Sequence, residues 1–228
     1  MISTDHASIP LAQLGPIAQL RAGRLVRRLL QLIVGLFLYG VSLAVMVRGN
    51  LGLAPWDVLH SGFVRHVQMS LGEAVILFSF FVLVLWIPLR EMPGIGTIGN
   101  AILVGVSADY SLAMLEPQNV MWVRTTFMVG GVLLCGLASA LYIGAQLGRG
   151  PRDGLMTGLS RRTGLSLQLV RTFLELVVVA IGLFLGGVLG VGTVVFALAI
   201  GPLTQLMLPW FTIRLVRDVP LSADLRNG

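Results

Sequence analysis

Six stretches of about 20 mostly apolar residues, 25–47, 72–89, 95–115, 121–145, 166–188 and 192–215, constrain this chain more than any other feature. That is the length an α-helix needs to cross the hydrocarbon of a bilayer. A lipid-embedded backbone must satisfy its own polar groups, which leaves helices and closed barrels. Continuous apolar runs of this length, without alternation, select helices. The expected fold is therefore all-α: a polytopic membrane protein with about six transmembrane helices. Composition agrees. Hydrophobic residues make up 56% of the 228 and charged residues 11%, and the mean hydropathy is +0.89. Soluble domains carry about 25% charged residues, so this chain has too few polar side chains to coat a water-facing globule.

All 16 basic residues are arginine and the net charge is +6. Most arginines flank apolar runs, which reads as membrane orientation and not as a nucleic-acid surface. With the N-terminus inside, thirteen arginines fall on the cytoplasmic side, and only Arg48, Arg65 and Arg124 fall outside. The positive-inside rule then places both termini on the cytoplasmic side. The expected organisation is a cytoplasmic tail (1–24), a first three-span unit (25–115), a second (121–215) and a cytoplasmic tail (216–228). The arginine cluster at 21–28 resembles the start of a signal peptide, but the apolar run behind it exceeds the usual 7–15 residues. A retained first helix is expected. Cys135 is the only cysteine, so no intramolecular disulfide or cysteine metal cluster is expected. His6, His60 and His66 have no metal-ligand spacing.

The chain repeats itself at an offset of 96 residues without a gap. Residues 49–59 read GNLGLAPWDVL and residues 145–155 read AQLGRGPRDGL. Gly52 matches Gly148, Pro55 matches Pro151 and Asp57 matches Asp153. The register continues through Gly62/Gly158, Arg65/Arg161 and Ser70/Ser166 to Gly105/Gly201. Shared Gly, Pro, Asp and Arg in one register do not arise from apolar composition alone. Each unit holds an odd number of spans, so the second enters the membrane upside down relative to the first. Inverted repeats of this kind build many secondary transporters.

Between the first and second span of each unit lies a segment too long for a tight turn and too short for another span. Pro55 and Pro151 suit the first turn of a helix, where their missing N–H has no partner to lose. Asp57 and Asp153 follow at the third position, favoured by the positive helix end. Gly52 and Gly148 permit the preceding bend. The spacing predicts short helices over about 55–66 and 151–162, interfacial or re-entrant. The aspartates either cap these helices or line a solute pathway.

The segment GNLGLAPWDVL, with its Pro55-Trp56-Asp57 core, resembles the YczE/YyaS/YitT group of bacterial integral membrane proteins, in particular its YczE-like branch. The likeness extends to length and span layout. The second copy departs from it, with Arg152 where the first has Trp56. The resemblance implies a multi-pass protein of the bacterial inner membrane and carries over no site residues, because members of the group are mostly uncharacterised.

Ionisable residues within spans mark functional positions by default. Arg171 and Glu175 lie one helical turn apart and can pair, as a local ion pair or as a substrate or proton site. Asp109 and its offset partner Gln205 place polar groups at one depth in each unit. Trp56, Trp86, Trp122 and Trp210 fall near span ends, where interfacial anchoring is the ordinary role. No phosphate-binding loop, zinc-protease signature or intramembrane nucleophile pair is present, so neither enzyme activity nor a cofactor is expected. The leading expectation is a small-solute transporter or exporter. The alternative is a non-transporting component, such as a solute-binding or partner subunit. The expected partners are the lipid bilayer, an unknown small solute and a second copy in a homodimer.

Overall fold

The computed structural model describes residues 15–215, so most of both expected tails lies outside the described residues. Those residues form α1 (Pro16–Arg21), α2 (Leu25–Gly49), α3 (Pro55–Phe63), α4 (Leu71–Leu89), α5 (Ile95–Met114), α6 (Met121–Gly144), α7 (Pro151–Thr163), α8 (Leu167–Phe184) and α9 (Val191–Phe211). The helices α2 to α5 begin at Leu25, Pro55, Leu71 and Ile95; α6 to α9 begin 96 residues later, at Met121, Pro151, Leu167 and Val191. The local signals that start them repeat as well. Proline opens α3 and α7. Ser70 and Ser166 accept from a backbone N–H in the first turns of α4 and α8. Before α5 and α9, the Gly94 and Gly190 N–H groups donate to Thr97 and Thr193.

Five of these helices, α2, α4, α6, α8 and α9, have the length and apolarity of membrane spans. The chain is a helical membrane protein. Helix α5, expected as the third span, has 20 residues but carries Asn100, Ser107, Asp109 and Ser111 along its length, which dilutes its apolar character.

Helices α2 and α6 run antiparallel through the centre. The start of α2 is tied to the end of α6 by Arg28, and the start of α6 to the end of α2 by Arg124. Gly35 and Gly131, offset partners, let the two backbones approach: a Cβ on Gly35 would lie 2.8 Å from the Tyr142 nitrogen, and one on Gly131 would lie 2.5 Å from Met46 Cγ. Helix α5 packs on α2, and α9 on α6. The short helices cross over, α3 packing on α8 and α7 on α4. The loops ahead of the short helices cross as well. The Leu51 carbonyl accepts from Gly192 N–H at 2.7 Å, and the Leu147 carbonyl from Gly96 N–H at 2.8 Å. Gly52 and Gly148 make those bends with φ of +118° and +130°, a region that L side chains rarely adopt.

The short helices are enclosed by protein. Residues from Pro55 to His60 are all buried, as are Pro151, Leu155 and Met156. This overturns the interfacial reading of two tryptophans. Trp56 and Trp86 are 7% and 3% exposed and pack together with Leu59, Val82 and Leu155. Trp122 and Trp210 do face outward.

Candidate solute-binding cavity

A cavity of about 250 Å³ opens between the two halves of the chain. Its walls contain both members of six offset pairs: Ala54/Gly150, Trp56/Arg152, Val75/Arg171, Ser79/Glu175, Asn100/Phe196 and Val104/Ile200. The cavity thus lies where equivalent surfaces of the halves face each other. The charge is unevenly shared. Arg152, Asp153, Arg171 and Glu175 all come from the second half, while the first contributes apolar, aromatic and neutral polar side chains.

The first turn of α7 delivers Arg152 and Asp153. The Arg152 guanidinium lies over the Trp56 ring, 5.2 Å from its centroid, and 3.6 Å from Asp57 Oδ1. Asp57 makes no side-chain cap on its own helix. Its Oδ1 is also 3.1 Å from His60 Nδ1, one turn along α3, and His60 is fully buried against Phe78. The Trp56–Asp57 sequence thus forms a seat for Arg152, the residue that replaces tryptophan in the second copy. Asp153 accepts a hydrogen bond from the Tyr142 hydroxyl. On α8, Arg171 Nε donates to Glu175 Oε1 at 2.8 Å, as their spacing predicts. Gln205 and Thr204 of α9 complete the far wall.

Asp57, Asp153, Arg171, Glu175, Gln205, Pro55, Trp56 and Arg152 therefore gather in or directly behind one cavity. Asp109 does not join them. It sits at the other end of α5, where it accepts from Gly72 N–H at 2.8 Å and from the Ser70 hydroxyl, holding α5 to the start of α4. Gly52 and Gly148 shape the loops, and the Pro151 carbonyl accepts from Trp86 Nε1 at 2.9 Å.

A second cavity, of about 550 Å³, shares Ile143 and Asp153 with the first. It runs past Arg149, Arg161, Glu91 and Arg90 to Pro16 and Gln19 of α1. Asp153 stands between the two spaces. Among the described residues, no group of three His, Cys, Asp or Glu side chains is arranged to hold a metal ion.

A family model covers residues 26–209, from the first span almost to the end of the last. The chain belongs to DUF6198, a family of unknown function. It is 38% identical over 177 residues to an uncharacterized protein of Haemophilus influenzae, covering 78% of this chain and 81% of that one. It is 31% identical to the uncharacterized membrane protein YczE of Bacillus subtilis, covering 75% and 80% of the two chains. The uncharacterized protein YyaS of the same organism is 23% identical. The resemblance carried by the Pro-Trp-Asp segment is thus correct at the level of the family. No solved structure matches the chain.

Sequence reasoning missed Tyr39, Tyr142, Asn100 and Ser79 as cavity residues, since single polar groups inside apolar runs give no sign of which face they occupy. It also missed Arg28 and Arg124 as a pair, although the 96-residue offset relates them.

Proposed function

We propose that this chain is a secondary transporter of a small solute, built from two inverted three-span units around the central cavity. It would sit in the bacterial plasma membrane with both termini cytoplasmic. Binding at the interface of inverted units near the membrane midplane is the arrangement such transporters use.

One observation carries this reading: the helix packing of the two halves corresponds except along one seam. In the first half α4 packs closely on α5. Gly72 and Gly105 meet there, so that a Cβ on Gly105 would lie 2.4 Å from the Gly72 oxygen, and Asp109 ties the end shut. In the second half α8 and α9 stand apart. Gly201, the offset partner of Gly105, has nothing within 4 Å of a Cβ position. Two equivalent seams in different states are what alternating access requires: one closed, the other open to the cavity. On the positive-inside orientation the closed seam faces out and the open seam faces the cytoplasm. Transport proceeds when the seams exchange states.

The test is saturable counterflow by purified protein in liposomes, across a panel of small amines, amino acids, carboxylates and sugars. Flux that saturates and is lost in Arg152→Ala supports transport. If a panel member binds but none is moved, the protein is a non-transporting solute-binding or partner subunit. No catalytic role is proposed for the cavity.

A further inference from the structure

We propose that the solute is a small organic cation, an amine or a guanidine, whose charge pairs with Asp153; this rests on the reading of the central cavity as the solute site.

The charges of the cavity are arranged as two pairs and a remainder. Arg152 is matched by Asp57 behind it. Arg171 is matched by Glu175 on the same helix. Asp153 forms no ion pair among the described residues; Arg171 in this cavity and Arg149 in the second lie beyond ion-pair distance. Among the described residues no cationic side chain comes within 4.0 Å of it, and its side-chain partner, the Tyr142 hydroxyl, is neutral. Asn100 and Gln205 can hydrogen-bond but cannot neutralise a charge. A carboxylate enclosed in a membrane protein favours a positive counter-charge. An anion would bring a second negative charge beside Asp153, and the two guanidiniums it could approach, Arg152 and Arg171, are already shared with Asp57 and Glu175. A zwitterion would leave the excess negative charge in place.

The walls suit an organic cation. Tyr39, Tyr142 and Trp56 present aromatic rings, and a cation near such a face is held by the ring quadrupole. The cavity already contains one example of the motif. The Arg152 guanidinium rests over Trp56 beside a carboxylate, and Tyr142 and Asp153 offer a ring and a carboxylate a short distance away. The space, about 250 Å³, lies below the ~300–1,000 Å³ of ordinary ligand pockets, which restricts the solute to about ten heavy atoms, since about 150 Å³ already takes benzene.

The experiment is thermal unfolding of the full-length protein in lipid nanodiscs, titrated with n-butylammonium and guanidinium chlorides. The comparison ligands are sodium n-butyrate, n-butanol and γ-aminobutyrate, at ionic strength matched with sodium chloride. The expected result is a midpoint that rises saturably with the two cations and with none of the others. Apparent affinity falls about tenfold or more in Asp153→Asn, the loss of one charge-assisted bond, and is unchanged in Glu116→Gln, a charge removed from an exposed loop. If Asp153→Asn fails to fold, the selectivity for sign in the wild-type protein decides alone. Stabilisation by butyrate or γ-aminobutyrate but not by the amines overturns the assignment. So does an amine effect that survives in Asp153→Asn, or no response to any cation. Amine binding without counterflow removes the transporter reading and keeps this one. Saturable flux of a carboxylate without amine binding does the reverse.

Discussion

Arg28 does at one end of the α2–α6 pair what Arg124, 96 residues later, does at the other. Arg28 Nε and Nη2 donate to the Ala145 and Gln146 carbonyls at 2.8 and 2.6 Å. Arg124 Nε and Nη2 donate to the Gly49 and Asn50 carbonyls at 2.9 and 2.6 Å. Each guanidinium satisfies carbonyls at the C-terminal end of the partner helix, which the helix itself leaves without donors, and brings positive charge to the negative end of the dipole. Arg28 differs in being fully buried and in donating a further bond to Gln19 of α1.

Burial sets the expected order of effects. Hydrogen bonds to charged groups contribute about 1.5–3 kcal/mol net, and a stranded buried acceptor costs more than an exposed one. Arg28→Ala is expected to destabilise by about 3 kcal/mol or more and Arg124→Ala by about half as much, read from denaturant unfolding in micelles. Lysine at position 28 keeps the charge but not the two-pronged geometry, and should recover only a minor part. Equal losses for the two alanine variants would contradict the argument from burial.

This pair also marks where the sequence stops being legible. A basic residue at the edge of an apolar run reads as a loop charge that orients the protein. Nothing local distinguishes Arg28, which folds back onto α6, from Arg24 or Arg27 beside it. The helix positions, the short helices included, and the Arg171–Glu175 pair follow from period and spacing, because they are contacts within one helix or one turn. The presence of Val75 and Arg171 in the wall of one cavity is a long-range fact, and so is the contact of Gly72 with Gly105. Each depends on which helix faces meet. Trp56 and Trp86 differ from expectation for the same reason: their positions near span ends suggest lipid headgroups, while the crossing of α7 onto α4 and α3 onto α8 covers them with protein.

The closed seam offers a direct mechanical test. A methyl group at position 105 would lie 2.4 Å from the Gly72 oxygen and 2.6 Å from Ile76 Cγ1, so Gly105→Ala must push α4 and α5 apart. Overpacking of this kind costs about 1–3 kcal/mol. Gly201→Ala, inside α9 and meeting open space, should stabilise slightly, by about 0.5–1 kcal/mol. In a transporter it should nevertheless slow solute exchange, since Gly201 must take the place of Gly105 when the seams switch. A Gly201→Ala protein with unaltered flux would argue that the open seam never closes.

A second close contact holds the short helix of the second half. A Cβ at Gly154 would fall 1.9 Å from Trp86 Cζ2, inside the ring that caps this turn of α7 and whose Nε1 donates to Pro151. Gly154→Ala should therefore displace α7, and with it Arg152 and Asp153. The predicted signature is coupling. Gly154→Ala and Trp86→Leu should each destabilise, while the double variant loses less than the sum by about 1 kcal/mol or more, because the smaller side chain makes room for the methyl group. Additive losses would mean that α7 moves freely over Trp86.

Whether α5 crosses the membrane decides the architecture, and it can be tested from outside the cell. The bonds of Arg28 and Arg124 make α2 and α6 antiparallel. Between them the chain passes through α4 and α5. If both cross, α6 enters from the side opposite to α2, as those bonds require. If α5 stopped short, α6 would run parallel to α2. His66 and Arg162 are offset partners, both exposed, just beyond α3 and near the end of α7. In a Cys135→Ala background, His66→Cys and Arg162→Cys are each exposed to an impermeant maleimide on intact and on permeabilised cells. The expected outcome is labelling of His66→Cys in intact cells and of Arg162→Cys only after permeabilisation. Labelling of both from one side would reduce the crossings between them to an even number, take α5 out of the membrane and remove the inverted repeat on which alternating access depends.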